Sequence, residues 1–599
     1  ARKNGVMFYN YSHTKYDFNY ELGDYGEVLL TTPVAKGNFV LNNSVNGTVK
    51  NGGIAFYLRG NDVNNKVTFL NKMFTDTADS ENRVSASGKK VNLKMEEGST
   101  LFVTHNYNIN NVTTAQKLSG LAVNSSNNYG NRVTIDSSSS NKYKIEKSLR
   151  NKLEIDTDVN LDDRTTTYNR IEYLASWVTL NSGKKMTSSK NDKVAIFQAN
   201  VKREQGSTLP AAKAEDVKVI NKGKIALTGK NSVAMGASFG QVTNEKDISV
   251  TGEAGIGIYG ADSSVIKNIG TVEVGKNGTG IYAENDLKIA GDSTAISTNK
   301  DINITNTGTI KAKTGSTGVY GIYAKNDKAN YKTATSTLNH SGTIDLANSK
   351  SSVGIYTENG NLTSSGNISV GEGGIAIKSI KSNATLSSGN IATTSGVGVL
   401  AENSTINTSA NMTVNNGIGL NLKNSKVIVG SGTYNLTRAT AFRIGTLGAG
   451  DYFKGNGGTL NLGANSIAYH LKDTNLISNS NFIDNLGVNS TGKYTYIYAD
   501  NSTLNYENQK TINSDGSTFA YAKNSNITLK TNTKISSSNK KVTGVFSENT
   551  VAGKNIVNNG TINLLGEESV GVYSEGRVNL VNNGKIRLGK KGAGIYSKD

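Results

Sequence analysis

Apolar residues near the end of the chain come in alternating pairs: Val570 and Val572, Val578 and Leu580, Ile586 and Leu588, then Ala593 and Ile595. Alternation is the periodicity of a β-strand with one buried face. The pairs start 8, 8 and 7 residues apart, enough for a short strand and a turn and too little for a helix. The pattern then returns after 23 or 24 residues, Gly571-Val572-Tyr573-Ser574-Glu575 as Gly594-Ile595-Tyr596-Ser597-Lys598 and Asn558-Asn559-Gly560-Thr561-Ile562 as Asn582-Asn583-Gly584-Lys585-Ile586. A unit this short buries its apolar face only by stacking on copies of itself. The spacing predicts an all-β fold, a parallel β-helix solenoid with three short strands per coil of about 23 residues. Parallel crossovers are overwhelmingly right-handed, so a right-handed coil is expected.

A coil more than 300 residues earlier keeps the same register, with Ile256 and Ile258, Ile266, Val272 and Val274, then Ile281. A Gly-[Ile/Val]-aromatic triplet recurs at Gly257, Gly280, Gly321, Gly354, Gly544 and Gly571, while Gly398-Val399-Leu400 keeps the glycine without the ring. These glycines are expected at corners, where positive φ or close backbone approach excludes a side chain. Asn558 and Asn582 are expected one above the other, their amides joined in a ladder along the stack. The interval from Gly280 to Gly321 is 41 residues and that from Gly321 to Gly354 is 33. The first predicts two short coils or one coil with a loop, and the second a loop carrying Tyr331 beside Lys325, Lys328 and Lys332.

Regularity divides the chain. Residues 211–430 read as regular β-helix, 431–540 as degenerate coils with sparse corners such as Gly457-Gly458, and 541–599 as regular β-helix expected to continue beyond Asp599. Residues 1–210 read as an irregular, β-rich N-terminal cap or binding tip, with a helical stretch expected at Lys147–Leu153 and an excursion at Lys202–Asp216. This portion opens on Phe8, Tyr9, Tyr11, Tyr16, Phe18, Tyr20 and Tyr25 and holds the single tryptophan, Trp177.

Composition fits a long β-rod: 65 Gly serve turns, and only 2 Pro threaten the ladders. Cysteine is absent, so hydrogen-bonded sheets rather than disulfides must hold an exported chain together. The formal charge of +18 comes mainly from lysines spread over outward strand positions, such as Lys585 and Lys590, which solubilise a surface and protect edges. That distribution argues against a specific nucleic-acid site. No run of about 18 apolar residues suits a membrane-spanning helix.

Enzymatic readings find little support. β-Helical polysaccharide-cleaving enzymes cluster acids and often Ca²⁺ on one face, whereas the 47 acidic residues here are scattered. Asp162-Asp163 beside Arg164 reads as a solvated turn, and Asp156 and Asp158 lack the spacing of a calcium loop. Gly291-Asp292-Ser293-Thr294 lacks the second glycine of a serine-protease nucleophile turn. The four histidines, His13, His105, His340 and His470, are dispersed, and His340 takes the Asn position of a turn. Gly255-Ile256-Gly257-Ile258-Tyr259-Gly260 spells a dinucleotide fingerprint but runs into a strand instead of a helix N-terminus. No catalytic residue, cofactor or metal is therefore expected, and the chain is read as not an enzyme.

The string Gly-[Ile/Val]-Tyr-[Ala/Ser]-Glu-[Asn/Gly], at Gly280–Asn285 and Gly571–Gly576, is followed by Asn-x-Gly-[Thr/Lys]-Ile, at Asn306–Ile310 and Asn582–Ile586. Together they resemble the passenger region of the giant fusobacterial type V autotransporter outer-membrane adhesins, over roughly the last 390 residues. The resemblance implies a monomeric rod on the bacterial cell surface, held to the outer membrane through a C-terminal barrel outside this chain. It also implies attachment to partner bacteria and to host-cell glycans or receptors, immune-cell receptors included. Tyr9, Tyr11, Tyr16, Tyr20, Tyr25 and Trp177 are the candidate ligand-binding residues, since rigid rings bury area at small entropic cost and sugars stack on them. The same rings would equally cap the open end of a β-helix. Two other readings stand: a passive spacer whose binding site lies elsewhere, and a polysaccharide-active enzyme.

Overall fold

A computed structural model describes residues 177–199, 214–261, 263–285, 301–326 and 336–598, the segment 158–163, and separate strands between Val6 and Ile155. From Lys152 onward the described chain is an all-β parallel solenoid whose coils stack their strands into three sheets, here called A, B and C, with A and B interrupted after Asp484 and Ser490. Two compact units emerge, one comprising residues 1–274 and 281–303, the other 275–280 and 304–599.

In the first unit, sheet A stacks Lys152–Ile155, Trp177–Leu180, Lys218–Asn221, Gln241–Asn244 and Val265–Asn268 in parallel register. Sheet B stacks Lys185–Ser188, Lys224–Leu227, Ile248–Val250 and Thr271–Val274, and sheet C stacks Val194–Ala199, Val233–Ser238 and Ile256–Ala261. Alternation places Val219, Ile225, Met235, Val242, Ile248 and Ile258 inside, each no more than 1 % exposed. Burying each such side chain contributes about 1.5–3 kcal/mol, and the neighbouring coil supplies the cover. The strand at Lys152–Ile155 corrects the end of the helix expected over Lys147–Leu153, of which 147–151 lie outside the described residues: Lys152 and Leu153 pair with Trp177 and Val178. Their alternation, closed by Ile155, outweighs local helix propensity once a neighbouring strand is present. Upstream lie two parallel sheets and one antiparallel sheet, the last pairing Lys142–Ile145 with Val133–Asp136 and Gln116–Lys117.

The second unit repeats the plan. Ser336–His340, Gly360–Ser364, Asn383–Leu386 and Thr405–Thr408 stack in sheet A, and Val353–Glu358, Ile375–Ile380 and Val397–Glu402 in sheet C. Among the described residues, the 41-residue interval holds the strands of one coil, Asn303–Asn306 and Thr309–Ala312, between Thr279–Asn285 and Tyr320–Asn326. From about residue 434 the interior turns aromatic, and Tyr434, Phe442, Phe453, Tyr469, Phe482, Tyr496, Tyr506 and Phe519 are fully buried.

The triplet glycines are not where the sequence placed them. Gly321, Gly354, Gly544 and Gly571 lie within sheet C strands, and none has positive φ. Each strand bends there, so that the glycine and its successor both face inward. A Cβ on Gly544 would come within 2.4 Å of the Gly571 carbonyl oxygen in the next coil, so close approach is the constraint. The left-handed corners belong to other residues: Asn359, Lys381, Asn403, Asn424, Asn501 and Asn524 between sheets C and A, and Ser351, Ser395, Asn416 and Lys541 between sheets B and C. After several of the C-to-A corners comes a serine whose hydroxyl receives the backbone N–H of the corresponding residue one coil earlier. Ser382 N to Ser404 Oγ and Ser404 N to Ser425 Oγ are both 3.2 Å.

Candidate functional site

Of the predicted binding residues, Tyr9 and Tyr11 belong to the strand Val6–Tyr11, whose backbone pairs with Ile54–Arg59, and Trp177 opens Trp177–Leu180. The side chains of these three, and Tyr16, Tyr20 and Tyr25 altogether, lie outside the described residues, as do Lys328, Tyr331 and Lys332. Lys325 sits in the sheet C strand Tyr320–Asn326. The candidate binding site thus lies outside the residues whose side chains are described.

The acids considered for catalysis or calcium take structural roles where they are described. Asp158 accepts the Lys185 N–H at 3.0 Å and pairs with its ammonium at 3.4 Å. Asp162 accepts the Ser188 and Ser189 hydroxyls at 2.6 Å and the backbone N–H groups of Ser189 and Lys190. Burial opposes its charge, yet these hydrogen bonds outweigh it and hold the carboxyl well below the usual range. Asp156, Arg164 and Gly291–Thr294 lie outside the described residues. Among the described residues no group of three metal-binding side chains converges, and no helix is long and apolar enough to cross a membrane.

The Asn ladder forms as expected. Asn558 donates to Asn582 at 2.7 Å, and in the first unit Asn221 donates to Asn244 and Asn244 to Asn268, each at 2.8 Å. His340 occupies the equivalent position, its Nδ1 3.0 Å from the Asn306 amide nitrogen. Burial pulls its pKa down to about 4. An imidazole kept neutral while the unfolded chain protonates near 6.5 makes the native state bind fewer protons, so stability rises with pH between about 4 and 6.5. Urea titrations across that window should show a slope of at most about 1.4 kcal/mol per pH unit, absent in His340→Asn. An equal slope in the variant would assign it elsewhere.

On the outer face of sheet C the triplet aromatics stack. Tyr498, Tyr521, Phe546, Tyr573 and Tyr596 occupy one register column, with successive ring centroids 5.2, 4.8, 4.7 and 5.1 Å apart. Tyr323 and Tyr356 stack at 4.7 Å, and in the first unit Tyr259 and Tyr282 at 5.9 Å. Beside this ladder runs a charged column, Asp500, Lys523, Glu548, Glu575 and Lys598. The Tyr521 hydroxyl donates to Glu548, and burial together with that carboxylate raises its pKa. Stacking covers the ring faces with neighbouring rings, so the column offers edges and hydroxyls to a partner. Sequence reasoning saw the rings only where a glycine preceded them and missed Tyr498 and Tyr521, which hold the same frame after Tyr496-Ile497 and Phe519-Ala520.

Inside the second unit lies a polar cluster that the sequence did not announce. Asp484, 3 % exposed, accepts hydroxyls from Tyr469 at 2.9 Å, Tyr496 at 2.5 Å and Tyr506 at 3.0 Å, and faces the Lys510 ammonium at 3.4 Å. Lys510 also donates to the Leu486 carbonyl at 3.1 Å and lies over the Tyr496 ring. Burial first, and then the Asp484 charge, push all three phenols well above their ordinary pKa. Four donors saturate a sealed carboxylate, an arrangement suited to holding structure and closed to substrate.

No family model, curated protein or solved structure matches this chain.

Proposed function

We propose that this chain is the passenger of a surface-displayed autotransporter adhesin, attaching its cell to partner bacteria and to host glycans or receptors. The observation that carries the reading is the position of its insertions. In both units the long departures from the coil leave from the C-to-A corner. They lie between Ala199 and Lys218 and between Asn285 and Asn303 in the first unit, and between Asn326 and Ser336 in the second. The A-to-B corners, where the amide ladder runs, stay short, and the B-to-C connections reach at most seven residues among the described strands, between Ala312 and Tyr320. A scaffold with an inert interior and one variable edge suits recognition, which concentrates on loops held by rigid elements.

Purified chain lacking residues 1–210 should lose attachment to host cells and partner bacteria in a plate assay while keeping its far-ultraviolet β signal. Unchanged attachment would overturn the tip as the binding site. The spacer reading draws on the stacked outer rings, whose faces are unavailable to sugars. It requires that the full chain bind neither a glycan array nor either cell type.

A further inference from the structure

One level of the second unit breaks the stacking rule. Sheet C runs through it unbroken, Ser466–Lys472 pairing with Tyr494–Asp500 and these with Thr518–Lys523. Sheet A does not. Phe482–Asp484 pairs with the preceding coil at Phe453–Gly455, whereas Asn475–Ile477, earlier in the same coil, pairs with the following one at Thr503–Asn505. Sheet B stops altogether: Gly487–Ser490 pairs with Thr459–Leu462 below it, and the next B strand, Gln509–Thr511, pairs only with Lys534–Ser536 above.

Side chains fill the missing ladder. The carbonyls of Asp484, which ends its A strand, of Leu486 in the corner that follows, and of Val488 in the B strand face the gap where the next coil supplies no strand. They receive instead the Asn508 amide at 2.5 Å, the Lys510 ammonium at 3.1 Å and the Asn513 amide at 2.8 Å. The Asp484 carboxylate then balances the lysine thus drawn inside. Backbone ladders come pre-aligned by their strand, but each of these bonds fixes a rotatable side chain at an entropic cost. In a linear stack, stability is a sum of coil terms and nearest-neighbour terms, so one weak interface divides the cooperative array.

We propose that this discontinuity is a built-in parting plane: the coils from residue 513 onward open as a cooperative unit of their own while those from 353 to 462 remain folded. Aromatic packing across the plane, as between Tyr469 and Tyr496 at 5.5 Å, keeps the two segments together at rest. Under load or heat, sheet C and the short ladder between Asn475–Ile477 and Thr503–Asn505 carry the backbone connection.

Hydrogen exchange with mass spectrometry on the whole chain through a urea series tests this. Amides of Asn526–Leu529, Lys534–Ser537 and Thr561–Leu564 should share one midpoint, lower than that shared by Asn411–Asn415 and Thr433–Thr437. Near the lower midpoint their protection should be at least tenfold weaker. Tyr506→Phe, which removes a single hydroxyl from Asp484, should lower the first midpoint and leave the second. Leu436→Ala, in an uninterrupted coil, should lower the second without drawing down the first to the same extent. A single midpoint for all these amides in the native chain, or equal shifts of both sets in Tyr506→Phe, overturns the proposal.

Discussion

Asp484→Ala is expected to destabilise the second unit by about 3–5 kcal/mol, because it strands the Lys510 ammonium in the interior with no counter-charge. Lys510 is only 9 % exposed, and the alternative partner on its acceptor side is the Leu486 carbonyl. Three phenol hydroxyls also lose their acceptor, since Tyr469, Tyr496 and Tyr506 all point at this carboxylate. Replacing both charges, in Asp484→Leu with Lys510→Met, should recover a large part of the loss, as apolar substitutes for buried ion pairs generally do. Urea denaturation of the single and double variants closes the cycle. A cost below about 1 kcal/mol for Asp484→Ala would mean that the cluster is already hydrated and carries no weight.

The second large effect belongs to the amide ladder of the first unit. Asn244→Ala should cost about 2–4 kcal/mol, because it removes the acceptor of the Asn221 amide and the donor to the Asn268 oxygen, both in a dry interior. Asn244→Asp should lose nearly as much, since a carboxylate accepts from Asn221 but sets oxygen against oxygen at Asn268. Asn579→Ala removes a comparable bond, to Asn555 at 3.2 Å, on the exposed surface and should change stability by less than about 0.5 kcal/mol. Thermal or urea unfolding of the three variants separates the cases, and equal effects at Asn244 and Asn579 would show that burial of the ladder is irrelevant.

Three strands per coil could be read directly because inward positions alternate so strictly: Val272 and Val274 face in, and Thr271 and Glu273 face out. The Asn column was equally readable, down to His340 replacing an asparagine. What misled was glycine, which marks both a left-handed backbone and a close approach. Gly321 and Gly571 are close approaches, while the left-handed corners are written in residues as unlike as Asn403, Lys381 and Glu568. The parting plane escaped notice because it is encoded as substitution. Ala468, Tyr496 and Phe519 stand in the glycine column, and the two rings fill space that a glycine leaves to the strand above. The aromatic opening around Tyr9 to Tyr25 and Trp177 lies outside the residues whose side chains are described, so the tip rests on sequence and resemblance alone.

Gly398 and Gly419 are 21 positions apart and Gly280 and Gly321 are 41, yet a Cβ on the first of either pair would meet the carbonyl oxygen of the second at the same 2.6 Å. Distance along the polypeptide and distance up the stack are thus independent variables in the second unit. Foreign peptides spliced at the permissive bend would lengthen the chain without displacing a single rung, whereas one extra residue inside a strand would throw the inward side chains of the rest of that strand onto the wrong face.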